Sequence, residues 1–501
     1  MTAGIFDLLV IGGGINGAGI AADGAGRGLK VLLAEANDLA GATSSASSKL
    51  IHGGLRYLEQ YEFRLVREAL AEREVLLAKA PHIIWPMRFV LPRVDGMRPD
   101  WMLRAGLFLY DHLAARRTLG ASRSVDLGRD PAGRPLSSEL ESGFSYWDCW
   151  VDDARLVVLN AIAARESGAT VLTRTPVTAL EIENGQWRAS LGGAQAGRSV
   201  AARAVVNATG PWVGQVARLA LGGRTLPAPR LRLVKGSHIV VPRIAGADDA
   251  YIFQTPDNRV VFALPFEQQF TLIGTTDEVF SGDPSDAVAS AEEVAYLLGI
   301  ANAMFRKPLP LADVVWSFAG VRPLDDDGAE AASTVSRDYR LDLDAGAGPP
   351  LLNVIGGKIT TYRRLAEQAL GVLAPYLPDM GPAFTATAPL PGGDVGPAGF
   401  QIWFDEFRRG LPDFPRDALL RLARRYGTRV SRVIGDAKTW GAMGSEVGGG
   451  LTAREINYLK AEEWAQTSDD VLWRRTKAGL FLAPGDRAPA RARLQAALTR
   501  Y

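Results

Sequence analysis

The chain has 501 residues, 47% of them hydrophobic and 22% charged, and its formal net charge is +1. This length allows two or three domains with sizeable cores, and the balanced charge gives no general electrostatic basis for binding nucleic acid. The single cysteine, Cys149, excludes an internal disulfide framework and any cysteine-rich metal site, so we expect no metal. We find no apolar run of the roughly 18 residues that a spanning helix needs, and no signal-peptide pattern. The protein is therefore expected to be soluble or to lie on a membrane without crossing it.

The most informative segment stands near the start, where residues 8–17 read LLVIGGGING. An apolar strand runs into Gly12, Gly14 and Gly17, a spacing that allows a tight turn, close approach of the backbone to a pyrophosphate, and packing of the following helix on the strand. A second strand, KVLLAE, ends in Glu35, about 20 residues farther on, where an acid binds a ribose hydroxyl. Glu35 disfavours a 2′-phosphate, so the pattern predicts FAD or NAD; a structural turn in an α/β domain is the alternative.

The rest of the chain alternates strand and helix patterns. Strands and turns are expected at 81–99, at 170–191 with a turn at Asn184-Gly185, and at 202–212. Short strands that form an inserted antiparallel sheet are expected at 236–242, 250–255, 259–264 and 270–275, and a return segment is expected at 314–324. A strand, a glycine turn and a helix follow at 351–370, and the prolines and glycines of 375–398 indicate a linker. Helices are predicted at 61–79, 155–167, 286–304, 401–409, 416–434, 452–465 and 469–481, the last four forming a separate helical domain.

The loop TSSASSKLIHGGLRY, residues 43–57, supplies hydroxyls and glycine amides suited to a second segment over a pyrophosphate. Arg56 is a rigid bidentate donor for phosphate or carboxylate, and the neighbouring Tyr57 adds a hydroxyl. A salt-bridged surface arginine is the alternative for Arg56.

Two further cations lie beside glycines. Arg322, in GVRPL, is expected in a rigid turn before Pro323, and Lys358, in GGKITTY, is expected at a helix start. The pair indicates an anionic substrate or stabilisation of an anionic flavin, with ordinary helix-end capping as the alternative.

Hydride removal from a secondary alcohol needs a base for the hydroxyl proton, and histidine is the usual one near neutral pH. Of the four histidines, His52 and His238 lie in the glycine-flanked motifs IHGG and KGSH and are candidates for this role. A structural hydrogen bond is the expectation for His82 and His112.

Two segments have the composition of a membrane surface. Residues 101–117, WMLRAGLFLYDHLAARR, fit an interfacial amphipathic helix or a helix packed in the core. The arginine-rich segment 416–432 could contact acidic phospholipid or form a solvated face.

The motifs taken together resemble those of the bacterial aerobic FAD-dependent glycerol-3-phosphate dehydrogenases. The similarity begins with residues 11–59 and continues in order through VNATGPWV, KGSHIVVPR, IGTTD, GVRPL, GGKITTYRRLAE, AREINYL and DDVLWRRTKAGL, so it covers nearly the whole chain. It implies an α/β fold in which a Rossmann-like FAD-binding domain of the D-amino-acid-oxidase type is interleaved with an antiparallel-sheet substrate domain and followed by a C-terminal helical domain. The FAD-binding parts would be 1–88, 152–218 and 315–378, the substrate parts 89–151 and 219–314, and the helical domain 379–501.

The resemblance also implies oxidation of sn-glycerol 3-phosphate to dihydroxyacetone phosphate, with electrons passed to membrane ubiquinone. The protein would be peripheral on the cytoplasmic face of the inner membrane, in contact with phospholipid, with a homodimer as one option. Carried over by motif, Arg56, Tyr57, His238, Arg322 and Lys358 would line the substrate site, and His52 resembles the histidine proposed as base in related flavin oxidases. The implied FAD site consists of Gly12, Gly14, Asn16, Gly17, Glu35, Thr43, Ser44, Ser45, Ser47, Ser48, Lys49, Gly53, Val177, Ala208, Gly210, Trp212, Gly357, Lys358, Ile359 and Thr360.

Some alternatives stay open. An oxygen-using glycerol-3-phosphate oxidase, an amine oxidase of the same fold and a non-catalytic flavin-binding scaffold would share most of these motifs. Oxygen-using members of the family carry an insertion in the substrate half, and no such long insertion is present here. Gly41 stands where the family often has cysteine. The FAD is expected to be noncovalent because Cys149 lies outside the glycine motifs, with attachment through a histidine as the alternative.

Overall fold

The structure is a computed structural model that describes residues 4–59, 61–94, 96–219, 231–255, 259–325, 338–346 and 348–499. Over these residues the strands, in chain order, are β1 Phe6–Ile11, β2 Val31–Ala34, β3 Leu50–Ile51, β4 Ile84–Pro92, β5 Arg123–Asp126, β6 Ser142–Val151, β7 Thr170–Leu172, β8 Val177–Glu183, β9 Gln186–Leu191, β10 Arg198–Asn207, β11 Leu231–Pro242, β12 Ala250–Gln254, β13 Val260–Phe266, β14 Phe270–Gly274, β15 Glu278–Val279, β16 Trp316–Asp325, β17 Arg340–Asp344, β18 Leu351–Ile355, β19 Glu446–Gly448 and β20 Leu451–Thr452.

The α-helices of the same residues are α1 Ile15–Gly26, α2 Phe63–Lys79, α3 Asp100–His112, α4 Asp153–Glu166, α5 Val213–Leu219, α6 Ala291–Met304, α7 Tyr362–Leu373, α8 Gly399–Arg409, α9 Arg416–Tyr426, α10 Val430–Ile434, α11 Ala453–Glu463 and α12 Arg487–Thr499.

The first sheet has the order β17-β18-β10-β1-β2-β7, and its five strands from β18 to β7 run parallel. β1 is apolar on both faces, as a parallel strand covered on both sides must be. Leu8 and Val10 pack with α1, α4 and α7 on one face, and Leu9 and Ile11 pack with the β8–β9 hairpin on the other. The predicted Rossmann-like layer is therefore present, with the glycine turn at the carboxyl end of its strand β1.

The second sheet has ten strands, eight of them in the order β15-β11-β14-β13-β12-β4-β6-β3. It is mostly antiparallel, and β16 pairs with β11 along ten residues. Ile239 and Val241 of β11 face a core covered by α6, whereas Val240 faces a core shared with α2 and α3. This alternation of buried residues on two covered faces is what a pleated strand requires.

The chain passes between the two sheets several times, and the sequence-based domain division stays a prediction. Two of its boundaries differ from the strand pairings. The boundary between residues 88 and 89 falls inside β4, and β16, given to the FAD-binding part from residue 315, lies in the second sheet. The prediction of a turn at Arg322 is also wrong. Arg322 lies inside β16, where it pairs with Val234 of β11.

The C-terminal segment forms its own helical core, as predicted, with three differences in detail. The helix expected over 416–434 breaks at Gly427, whose φ is +55° and where a side chain would meet the carbonyl oxygen of Gly392 at 1.8 Å. The helix expected over 469–481 is a π-helical turn, Asp470–Arg475, followed by a short 3₁₀ turn. Helix α12 lies beyond any segment that the pattern predicted.

Candidate active site

The glycine turn after β1 has the geometry that its sequence predicts. Gly12 has a φ of +109°, and a methyl group on it would lie 2.6 Å from the carbonyl oxygen of Ala208 at the end of β10. A methyl group on Gly17 would lie 1.9 Å from the carbonyl oxygen of Gly12. Gly14 is the N-cap of α1, so the N-terminus of that helix opens beside the turn. Both close approaches require glycine, and together they bring a helix N-terminus to the edge of the parallel sheet.

Glu35 follows β2 directly and lies against this turn. Its carboxylate accepts hydrogen bonds from the backbone N–H of Gly13 at 2.5 Å and of Asn37 at 2.7 Å. Burial raises the pKa of Glu35, and these two backbone hydrogen bonds oppose the rise. The acid is therefore held at the place where a ribose next to a pyrophosphate would lie.

The segment Thr43–Ser48 joins the glycine turn to the second sheet. Ser44 Oγ accepts a hydrogen bond from Ile15 N at 3.0 Å, at the start of α1, and Thr43 Oγ1 donates to the carbonyl oxygen of Val321 at 2.6 Å. A methyl group on Gly320 would meet the side chain of Ala46 at 2.7 Å, so β16 and this segment are in close contact. The serine-rich loop thus lies over the helix N-terminus, where the sequence predicts it.

The side chains of Ser47 and Lys49 are both engaged by one buried acid, Asp153. Lys49 is fully buried, and its ammonium donates to Asp153 at 2.8 Å and to the Ser45 carbonyl oxygen at 3.1 Å. Ser47 Oγ donates to the same Asp153 carboxylate at 2.7 Å. Burial lowers the pKa of Lys49, and Asp153 opposes the shift. Because the ammonium has no exposed surface, any contact of Lys49 with a cofactor is limited to its backbone.

A third segment, 356–361, meets the first two. Asn16 Nδ2 donates to the Gly356 carbonyl oxygen at 3.2 Å, and Gly357, with a φ of +99°, lies beside the same amide. Thr360 Oγ1 accepts a hydrogen bond from His52 N at 3.2 Å. Segments more than 300 residues apart in the chain therefore form one edge of the site.

The predicted cations lie on this edge and on β16. Arg322 Nη1 is 2.5 Å from Asp277 Oδ1, and Nη2 donates to Thr275 Oγ1 at 3.0 Å. The ammonium of Lys358 lies 3.7 Å from the centre of the Tyr57 ring, a cation–π contact. Arg56 belongs to a short 3₁₀ turn, Leu55–Leu58, but its side chain is outside the described residues.

His238 projects from β11 toward the serine-rich loop. Its Nε2 is 2.9 Å from Ser48 Oγ, and its ring stacks on Phe318 with centroids 4.9 Å apart. The ring is 1% exposed, and Nδ1 has no hydrogen-bond partner among the described residues. Burial, with Arg322 and Lys49 nearby, holds the pKa of His238 well below its usual range, so the imidazole is neutral at pH 7.

The remaining predicted positions differ in how close they lie to this centre. Gly210 has a φ of +57°, and beyond its chain neighbours no atom of the described residues lies within 4 Å of where its Cβ would point. Gly53 is buried, and its N–H donates to Tyr110 OH at 2.8 Å. Val177 begins β8 and packs beneath β1, and Trp212 ends a short turn after Gly210. His112 Nδ1 lies 2.7 Å from the Phe108 carbonyl oxygen, which confirms the expected structural hydrogen bond. The same expectation is wrong for His82, because neither of its buried ring nitrogens has a partner among the described residues.

Sequence reasoning missed the acids that fix these groups. Asp153 holds Ser47 and Lys49, and Asp277 holds Arg322. Asp277 ends the IGTTD motif, one of the segments that carry the family resemblance. Asp153 had no signal in the sequence, because a first-turn helix acid is ordinarily explained by the helix dipole.

The site fits a dinucleotide with a flavin. The glycine turn leaves no room for side chains but presents backbone N–H groups, Glu35 stands where a ribose would bind, and Asn16 Oδ1 is buried without a partner among the described residues. Such an unsatisfied buried acceptor is consistent with a ligand donor that completes it. Cys149 lies inside β6, and burial raises the pKa of its thiol, so it is not placed for a covalent flavin link.

Comparison with known proteins gives matches over most of the chain. A family model described as FAD dependent oxidoreductase matches residues 7–363, and one described as C-terminal domain of alpha-glycerophosphate oxidase matches residues 383–494. A glycerol-3-phosphate dehydrogenase of Pseudomonas aeruginosa is 54% identical, covering 96% of this chain and 93% of that protein. A D-erythritol 1-phosphate dehydrogenase of Brucella abortus is 51% identical, covering 96% of both. The crystal structure of a glycerol-3-phosphate dehydrogenase from Bacillus halodurans, complexed with FAD, superposes with a TM-score of 0.76 at 29% identity, covering 99% of this chain and 95% of that one.

Proposed function

Because the chain belongs to the family of FAD-dependent oxidoreductases, we propose that it is a dehydrogenase that oxidises sn-glycerol 3-phosphate to dihydroxyacetone phosphate. The observation that carries the proposal is the placement of two cations around the dinucleotide turn, Arg322 on β16 and Lys358 in the segment 356–361, to which His52 is tied through Thr360. A phosphate dianion needs fixed cations, and a secondary alcohol needs a neutral proton acceptor.

Bound FAD would supply the acceptor for the hydride from C2 of the substrate. The turn at Gly12–Gly17, Glu35 and the loop Thr43–Ser48 would hold the cofactor, because they surround the N-terminus of α1. Arg322 would bind the substrate phosphate. Its ion pair with Asp277 fixes the guanidinium plane, so little side-chain freedom is lost on binding.

Two histidines are available for the proton of the C2 hydroxyl. His52 comes from the loop that also provides Tyr57, and its backbone is tied to Thr360. His238 comes from the second sheet, and the hydrogen bond with Ser48 fixes its ring. Either imidazole ring can take the proton when it is neutral. We assign the role to His52 because the loop 43–57 would then deliver both the base, His52, and a second phosphate ligand, Arg56.

The second candidate substrate is D-erythritol 1-phosphate, favoured by the relative from Brucella abortus at 51% identity. Both substrates carry a phosphate and a secondary hydroxyl, so the same cations and the same base would serve for either. The two substrates differ in the length of the carbon chain.

The deciding experiment is the anaerobic absorbance spectrum of the purified holoprotein before and after each polyol phosphate is added. We expect sn-glycerol 3-phosphate to bleach the flavin band at about 450 nm. We also expect this bleaching to be faster than the bleaching by D-erythritol 1-phosphate. A faster reaction with the four-carbon substrate would transfer the assignment to it. If neither compound bleached the flavin band, the result would contradict the dehydrogenase and indicate a flavin-binding scaffold.

We further propose that the electrons pass to ubiquinone and that the protein attaches peripherally to the cytoplasmic face of the inner membrane, in contact with phospholipid. Across the described part of the chain, no helix combines the length and apolarity that crossing a bilayer takes. Support for attachment comes from α3, which exposes Trp101 by 68% and Phe108 by 62%, with Met102 and Leu109 beside them.

Neighbouring residues extend this apolar surface. Tyr61 is 80% exposed, and an ion pair between Glu59 and Arg98 holds its segment near the start of α3. Exposed aromatic side chains flanked by arginines, as here by Arg98 and Arg104, are typical of a helix that lies in the headgroup region of a bilayer. The segment 101–117 therefore combines both expectations: Leu107 and Tyr110 pack in the core, and we propose that the opposite, exposed side contacts the membrane.

A further inference from the structure

The loop between β2 and the serine-rich segment determines where Glu35 lies. The loop is tied to the glycine turn at both ends, by Glu35 itself and by a hydrogen bond from Ala40 N to the Gly13 carbonyl oxygen at 3.0 Å. Between these ties stands Asp38, which is 3% exposed. A buried carboxylate at this place needs compensation by cations or hydrogen-bond donors.

The compensation comes from the helical domain, more than 430 residues farther along the chain. Arg475 donates through Nη1 and Nη2 to the two oxygens of Asp38, at 2.8 Å each, and Arg474 Nε donates to the same carboxylate at 2.5 Å. Arg475 is fully buried and also donates to the Glu463 carbonyl oxygen at the end of α11. The fork geometry fixes both the distance and the orientation of Asp38.

A second contact from the same π-helical turn strengthens the arrangement. Asp470 accepts from Arg174 Nη2 at 2.7 Å and also from Arg474. The backbone N–H of Arg174 donates to the Asn37 carbonyl oxygen at 2.7 Å, and that of Thr175 donates to the Glu35 carbonyl oxygen at 2.8 Å. The turn Asp470–Arg475 therefore holds the Glu35 loop from two sides.

We propose that this turn of the helical domain is a positioning element for the dinucleotide site: Arg474 and Arg475 hold Asp38, and through it Glu35, in the orientation that binds the ribose of FAD. The proposal rests on the assignment of Glu35 to that ribose. Asp38 and Glu35 belong to the same short loop, so a displacement of Asp38 would move Glu35 away from Gly13. The π-helical turn lets the consecutive residues Arg474 and Arg475 contact the one carboxylate of Asp38. The helical domain then contributes to cofactor affinity without touching the cofactor.

The test measures FAD affinity of full-length protein rather than turnover. Deflavinated wild type and Arg475→Lys are titrated with FAD by quenching of flavin fluorescence, and the unfolding temperature of each apoprotein is recorded. The control is Arg429→Lys, which breaks another ion pair of the helical domain, with Glu166 at the end of α4, and involves neither Asp38 nor Glu463. We expect Arg475→Lys to raise the Kd for FAD roughly tenfold or more, because the fork is lost, and Arg429→Lys to leave it within about twofold.

Three further variants separate the possible failures. If Arg475→Lys does not fold, Arg474→Lys, at a partly exposed position, takes its place with the same expectation. Glu35→Gln tests the ribose assignment by itself, and an unchanged Kd would overturn that assignment. If the turn acts through Glu35, the double variant Glu35→Gln/Arg475→Lys binds FAD about as weakly as Glu35→Gln alone. Fully additive losses, or equal losses in Arg475→Lys and the control, would overturn the positioning role.

Discussion

Arg322 is the single residue on which the substrate assignment depends most directly. Its guanidinium is fixed by Asp277 and Thr275, which lie between β14 and β15, so it is preorganised for a phosphate. We expect Arg322→Ala to lower kcat/KM for sn-glycerol 3-phosphate about tenfold to a hundredfold, since a charge-assisted contact contributes about 1.5–3 kcal/mol. The measurement is steady-state turnover at matched FAD content, with Arg56→Ala as a second variant of equal expectation. Wild-type kcat/KM in both would place the phosphate elsewhere.

The two candidate bases can be ranked by flavin reduction. Loss of a general base costs about 10²–10⁴ in rate, so we expect His52→Asn to slow anaerobic flavin reduction by that factor while FAD stays bound. His238 is 1% exposed and engaged with Ser48, so His238→Asn is expected to cost less. Stopped-flow absorbance measures both rates. The reverse order would give His238 the role, and two unaffected rates would contradict a histidine base.

Because the ring of His82 is buried, we expect the free energy of unfolding to depend on pH. Burial, with Arg155 and Arg424 nearby, lowers its pKa from about 6.5 to about 3, so the folded state keeps the ring neutral while the unfolded state takes up a proton. The stabilising contribution is therefore complete above about pH 6.5 and declines as the pH falls toward 3, by up to about 1.4 kcal/mol per pH unit. We expect His82→Leu to lose less stability than wild type between pH 7.5 and 5 in urea unfolding. Parallel pH profiles of the two proteins would contradict this.

Among the elements, α3 carries the membrane prediction. Its exposed aromatic side chains contribute apolar area that only a lipid or protein surface would cover. We expect Trp101→Ser/Phe108→Ser to reduce co-sedimentation with vesicles of acidic and neutral phospholipid several-fold, while flavin reduction by substrate in detergent is unchanged. The matched control is Val288→Ser, a 70% exposed apolar residue on another segment. Equal vesicle binding of both variants and wild type would exclude α3 as the attachment site.

At the scale of the whole molecule the open question is the electron acceptor. The apolar surface that α3 exposes is the feature that favours a quinone, an acceptor that resides in lipid. We expect turnover with a short-chain ubiquinone analogue to exceed turnover with oxygen at air saturation by a wide margin. The measurement compares two rates in the same preparation: reduction of the quinone analogue, without a mediating dye, and formation of hydrogen peroxide from oxygen. Peroxide formation at the quinone rate would identify an oxidase.

The local geometry of the dinucleotide turn follows from the sequence alone. Gly12 and Gly17 occupy positions where any side chain collides with backbone, and Glu35 ends the next strand, so the spacing itself predicts the turn and the acid. Amphipathic periodicity likewise predicted α2 and α11 to within a few residues, because each buries one face. The apolar pattern also predicted α4, which is buried on nearly all sides. These features depend on short stretches of chain whose physics is local.

Other features were decided only by tertiary structure. Arg322 lies in a strand rather than the expected turn because β11 pairs with its whole segment, and Pro323 is tolerated where the local signal favoured a turn. Lys49 belongs to the loop predicted along the cofactor, but the ion pair of its buried ammonium with Asp153, 104 residues away, was not predicted. The contact of Arg475 with Asp38 spans 437 positions, and no spacing rule predicts such a pair. Sequence patterns encode local conformation and burial, whereas the partner of a buried charge is selected by where distant segments meet.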